Sequence, residues 1–185
     1  MVDATSGSQK LSEVMAAIDL GPTGSIQMMF AKLQLAQAEI CKTQAESYMD
    51  QIEKIQEEQE KCAKMIEEAR NCQQKSKDDE GTGTTSITGK KVGDGCFAMS
   101  QDLIDYMNAY DLSYPNNDED YILGTDEWDY VLKSLTNYQE TIGNKTQTLM
   151  VYLQDFIGQY NSYLQGANTQ IANANQTLTN LARGQ

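Results

Sequence analysis

The sequence predicts an all-α protein: an elongated antiparallel coiled-coil hairpin of two long helices with a small, irregular, mostly helical middle region. Three observations carry this reading. From Ile26 to about Lys75 there is neither glycine nor proline, and the residues are strong helix formers. The chain has only two prolines, Pro22 and Pro115, so a long helix is permitted on both sides of the second. In both long stretches apolar residues recur in alternating steps of three and four, the heptad of a coiled coil.

Residues 1–25 read as a mobile N-terminal tail. It is rich in Ser and Thr, lacks the basic start and apolar core of a cleaved signal peptide, and ends in the breaker Gly21–Ser25. The first long helix is expected over residues 26–75, about 75 Å at 1.5 Å per residue. One seam reads Ala45, Tyr48, Ile52, Ile55, Gln59, Cys62, Ile66, Ala69, with Glu, Lys and Gln on the outside. Upstream, a second register reads Ile26, Met29, Leu33, Ala36, Ile40 and does not join the first in phase. Phe30, Leu35 and Cys41 make this stretch apolar almost all round, which requires cover on several sides, and neighbouring subunits are the expected cover. The candidate subunit contacts here are Ile26, Met29, Phe30, Leu33, Leu35 and Ile40.

Residues 76–124 read as a variable loop region, Gly/Thr-rich around a short hairpin at Ile87, with a short helix over 101–110 capped by Ser100. The second long helix is expected over 125–185, with Thr125 as cap and Asp126 and Glu127 in its first turn. Its seam runs Ile142, Thr146, Leu149, Leu153, Phe156, Tyr160, Tyr163, Ala167, then Ile171, Ala174, Leu178, Leu181 after one extra residue. Intrachain pairing is assigned to Tyr48, Ile52, Ile55 and Ile66 against Leu149, Leu153, Phe156, Tyr160 and Tyr163. Beyond Gly166 the outer face is Asn, Gln and Thr, so Ile171, Leu178 and Leu181 join the candidate subunit contacts.

Composition narrows function. Apolar residues make up 39%, below the usual 45–50% or so, which favours an extended or oligomeric protein over a compact one. A net charge of −13 repels phosphate backbones and anionic bilayers, so neither nucleic acid nor direct membrane insertion is expected. There is no histidine, the commonest general base and metal ligand, and no nucleophile–base pair or phosphate loop is apparent. No catalytic residue, cofactor or enzyme activity is therefore assigned. Asn116, Asp118, Asp120 and Glu127 fall at positions 1, 3, 5 and 12 of a calcium-loop template, but Tyr121 stands where the turn needs glycine, so a solvated acidic turn is the favoured reading. Cys41, Cys62, Cys72 and Cys96 show no metal-site spacing and read as small apolar helix residues, with a disulfide left open. The sequons at Asn144 and Asn175 lie on heptad-patterned helix and are discounted.

The stretch SQDLIDYMNAYDLSY (Ser100–Tyr114), an acidic turn, and EWDYVLKSLTNYQETIGNKTQTLMVYLQDF (Glu127–Phe156) resemble the EspA/SseB family of type III secretion filament and needle-tip proteins. The match centres on Leu103-Ile104-Asp105-Tyr106-Met107, and the order of long helix, variable middle and long helix agrees over roughly residues 25–180. The resemblance implies a secreted, self-assembling structural protein at the bacterial surface, forming a conduit between needle and host-membrane translocon. It further implies an export signal in the N-terminal tail, a dedicated cytosolic chaperone before export, homopolymerisation, and contacts with needle and translocator proteins. The alternative reading is a cytosolic coiled-coil adaptor that docks one partner.

Overall fold

The computed structural model describes residues 11–20, 25–115 and 120–184. Its elements are α1 (Leu11–Ala17), α2 (Ile26–Lys77), β1 (Cys96–Ala98), α3 (Gln101–Ala109), β2 (Ile122–Gly124) and α4 (Thr125–Arg183). The two long helices pack antiparallel as an all-α hairpin, and the short elements form the middle region. The helix α1, with Val14 buried, lies inside the segment read as a tail. Seven residues offer too few turns for periodicity to stand out. Contacts divide the chain into two compact units, one made of residues 1–52 and 148–185, the other of residues 53–147.

In the first unit, α2 starts behind Ser25, whose hydroxyl accepts from the Met28 amide at 3.2 Å. The antiparallel register is fixed by three neighbours. Gln34 sits on Gly166, the Cys41 thiol donates to Gln159 at 3.8 Å, and Tyr48 meets the Tyr152 ring at 5.8 Å and stacks on Phe156 at 5.5 Å. Each step moves one heptad down α2 and one up α4. The buried line on α2 is Ala31, Ala38, Cys41 and Ala45, with Gln34 in phase between them. It runs on without a break into Tyr48, Ile52 and Ile55. The register Ile26, Met29, Leu33, Ala36, Ile40 inferred from the large residues is therefore not the seam. Small residues carry the seam here because two backbones approach closely, and the large side chains stand beside it. Ala36, on another side of the helix, is also buried, so α2 is covered on more than one face within its own chain.

In the second unit the buried apolar set is Ile55, Cys62, Ile66, Ala69 and Cys72 of α2, Leu103, Ile104 and Met107 of α3, and Trp128, Val131, Leu135 and Ile142 of α4, with Leu123 of β2, Met99 just after β1, and Val92. Full burial of side chains such as Leu103 or Leu135 contributes roughly 1.5–3 kcal/mol each. Ser100 caps α3 as expected, accepting from the Leu103 amide at 3.1 Å and donating to Glu68 of α2. The end of α2 is tied to the start of α4: the Ser76 hydroxyl, fully buried, donates to the Gly95 carbonyl at 2.6 Å and lies 3.1 Å from the Thr125 hydroxyl. Gln73 adds a bond to Asp129 at 2.5 Å. The first helical residue of α4 is Thr125, and Glu127 reaches back to accept from the Gly124 amide at 2.9 Å.

The middle region also contains an antiparallel pair of strands, with Cys96 opposite Gly124, Phe97 opposite Leu123 and Ala98 opposite Ile122. A single bridge, Thr85 to Lys91, flanks Ile87 where the sequence suggests a hairpin.

The pairing of a seam glutamine with a glycine recurs: a Cβ on Gly166 would stand 2.6 Å from the Gln34 amide nitrogen, and one on Gly143 would stand 3.8 Å from that of Gln59. Gly166→Leu is expected to destabilise the first unit by about 1–3 kcal/mol through overpacking. Adding Gln34→Ala should restore most of the loss. Chemical denaturation of the two single variants and the double variant measures the coupling; purely additive effects would refute the pairing.

Candidate assembly surface

Of the residues assigned to intrachain pairing, Ile55 and Ile66 are buried. Tyr48, Ile52, Leu149, Leu153, Phe156, Tyr160 and Tyr163 are half-buried, as positions at the margin of a two-helix seam must be. A seam between only two helices leaves the flanks of each position in water.

The residues assigned to subunit contacts divide differently. Leu33, Leu35, Ile40 and Ile171 are half-buried. Ile26, Met29, Phe30, Leu178 and Leu181 expose 71, 59, 54, 64 and 65% of their surface, more than most polar residues need. The register explains the last two. Gln34 lies opposite Gly166, so the start of α2 at Ile26 lies opposite the neighbourhood of Ala174, the last buried residue of α4. Leu178 and Leu181 continue the seam phase past the point where α2 begins. Met150, Val151 and Ile157 are also exposed, and sequence reasoning missed them because they sit off the seam.

Charge is distributed with equal asymmetry. The chain carries −13 overall, yet from Phe156 to Ala182 there is no Asp, Glu, Lys or Arg. Across the seam, Ile26 to Ala38 carries a single charge, Lys32. This part of the first unit can approach a like-charged copy without the repulsion that the rest of the chain imposes.

The second unit holds a polar lock that the sequence reading did not assign. The Tyr138 hydroxyl of α4 donates to the Glu58 carboxylate of α2. Tyr110, which caps the C-terminal end of α3, packs on Tyr138 with ring centroids 5.1 Å apart, and Tyr106 lies 4.7 Å from Tyr110. The Cys62 thiol donates to the Leu135 carbonyl at 3.6 Å. Tyr106 and Tyr110 are one helical turn apart, and that spacing was the available signal. Burial pushes the phenols of Tyr106 and Tyr138 well above the ordinary range, with the Cys62 thiol adding to the first and the Glu58 carboxylate to the second. Burial and nearby carboxylates likewise raise all four thiols, Cys72 to about 11. The cysteines are unpaired and protonated at neutral pH, the state of packing residues rather than reactive ones.

The calcium-loop candidates divide as well. Asn116 and Asp118 lie outside the described residues. Asp120 accepts from the Ile122 amide at 3.0 Å and pairs with Lys90 at 3.4 Å, and Glu127 binds the Gly124 amide, so both carboxylates serve the outer edge of β2. Among the described residues no group of three His, Cys, Asp or Glu is placed to hold a metal, and no helix is long and apolar enough to cross a membrane.

A phenol with a raised pKa in the fold stabilises it fully below the unfolded value near 10 and ceases to do so as pH rises beyond that value. Stability should therefore fall above about pH 10, after an earlier loss from Cys72 beginning near its unfolded value of 9.0. Tyr138→Phe should cost about 1 kcal/mol at pH 7 and flatten the fall above pH 10. Denaturation midpoints from pH 7 to 12 for both proteins check this. Comparison of the chain with protein-family models, with curated proteins and with solved structures finds no match.

Proposed function

We propose that this chain is a secreted structural protein that polymerises, forming a filament or tip of a bacterial type III secretion apparatus. The observation that supports polymerisation is the uncovered, charge-poor end of the first unit. There Leu178 and Leu181 keep the seam phase with nothing of α2 opposite them, and Ile26, Met29 and Phe30 are exposed on the partner helix. Single exposed apolar residues are ordinary on a protein surface. Five on two helices of one unit, in a region without like-charge repulsion, favour contact with further copies.

The type III assignment rests on the resemblance over Ser100–Tyr114 and Glu127–Phe156. In that reading the needle and translocator proteins are the outer partners and a dedicated chaperone covers the helices before export. Within each unit the seam holds α2 against α4, and the exposed flanks of the first unit make the contacts between copies.

Purified full-length chain should associate progressively with concentration, giving polymers by sedimentation and filaments or rings by negative-stain microscopy. Leu178→Asp with Leu181→Asp should leave the helical circular dichroism and melting temperature unchanged and abolish association. A chain that stays monomeric at high concentration would overturn the proposal. A dimer that grows no further would instead support the adaptor reading.

A further inference from the structure

The two edges of the β1–β2 pair are treated differently by the fold. The Met99 amide donates to the Tyr121 carbonyl at 2.8 Å, which makes Ala98–Ile122 a non-hydrogen-bonded pair. By the alternation of an antiparallel ladder, the main-chain groups of Cys96 and Ala98 turn away from β2, and those of Ile122 and Gly124 turn away from β1. On β2 that outer edge is closed, since the Asp120 and Glu127 carboxylates accept the Ile122 and Gly124 amides. On β1 it is closed only at Cys96, where the Gly81 backbone presses so near that a Cβ there would stand 2.2 Å from the Cys96 carbonyl oxygen. No side chain or backbone of the described residues closes it at Ala98.

After Gly81 the chain leaves β1 and folds on itself. The Val92 amide donates to the Thr84 carbonyl at 2.9 Å, and the Ser86 amide donates to the Lys90 carbonyl at 2.9 Å. These two bonds make Thr85–Lys91 a non-hydrogen-bonded pair, so the N–H and C=O of Thr85 also turn away from their own partner. Thr85 and Ala98 line one cleft of about 490 Å³, together with Ile87, Phe97, Met99 and Lys75. Ile87 is 47% exposed, and the Lys75 ammonium lies 5.2 Å from the Phe97 ring centre. The cleft is thus lined by one open main-chain position of β1, Ala98, and one of the isolated bridge, Thr85, with the apolar side chains of Ile87 and Phe97 beside them, within one compact unit.

We propose that this cleft binds an extended segment of a partner polypeptide, entering as a strand beside Ala98 and Thr85. The chemistry selects a peptide because the open groups are the main-chain N–H and C=O of one residue on each side, Ala98 and Thr85, which an extended main chain can pair with as an added strand does. A β-branched or aliphatic side chain of the incoming strand would cover Ile87 and Phe97. The site lies wholly in the second unit.

The test uses the full-length, nitrogen-15-labelled chain and the neutral probe acetyl-Thr-Val-Thr-Val-Thr-amide. Titration should give saturable shifts of the Thr85 and Ala98 amides and slow their exchange with solvent. The same peptide with its central amides N-methylated should bind at least about ten-fold more weakly, because it cannot make the main-chain bonds. Ala98→Pro, checked for unchanged circular dichroism, should weaken the unmodified peptide to a similar degree. Absence of shifts up to millimolar peptide, equal binding of the N-methylated peptide, or shifts centred outside the cleft would each overturn the proposal.

Discussion

A heptad seam between α2 and α4 that runs largely on small residues constrains the rest of the structure. Ala31, Ala38, Cys41 and Ala45 let the helices approach closely in the first unit, and Gln34 fits there because Gly166 opposite it has no side chain. A one-residue slip would put Gln34 against Gln165 or Ala167 instead of the glycine and rotate the seam residues about 100° away from their partners. Register here follows from size complementarity as much as from apolar area. Burial of alanine yields little hydrophobic stabilisation per residue, so the seam depends on its length and on the fit of its few large members.

The close seam has a consequence for everything beside it. Large apolar residues that do not fit between the backbones stand on the flanks, and Ile26, Met29 and Phe30 are among the most exposed apolar side chains of the chain. On α4 the seam phase outlasts the partner helix and leaves Leu178 and Leu181 uncovered. The carboxylates of the chain are concentrated elsewhere, which leaves this surface free of electrostatic opposition to a second copy.

The second unit solves a different problem. It holds a helix, a strand pair and two helix ends together with buried aromatic and aliphatic side chains and a few polar bonds at their joints. Ser100 caps α3 and binds Glu68 at once, and Ser76 joins the Gly95 carbonyl and Thr125. Each of these side chains satisfies groups from two or three elements, so a single substitution would loosen more than one joint. The aromatic group of Tyr106, Tyr110 and Tyr138 fastens α3 to α4, and Glu58 extends the attachment to α2.

The sequence by itself determined the two long helices, their limits to within two residues, the cap at Ser100, and the heptad from Ala45 to Ala69. Those features are local: helix propensity, capping and periodicity act within a few turns and can be read from neighbours in the chain. It also singled out Ile26, Met29, Phe30, Leu178 and Leu181 as residues without an obvious intrachain role. Only the tertiary structure decided the phase of α2 before Ala45, because a seam of alanines is visible only when the glycine opposite is known. The strands Cys96–Ala98 and Ile122–Gly124 were equally hidden. At three residues each they have no periodicity of their own, and their existence depends on pairing across the length of α3 and its loops. The carboxylates Asp120 and Glu127 read in the sequence as part of a solvated acidic turn, and only the fold shows them accepting amides, since a strand edge leaves N–H groups that must be satisfied.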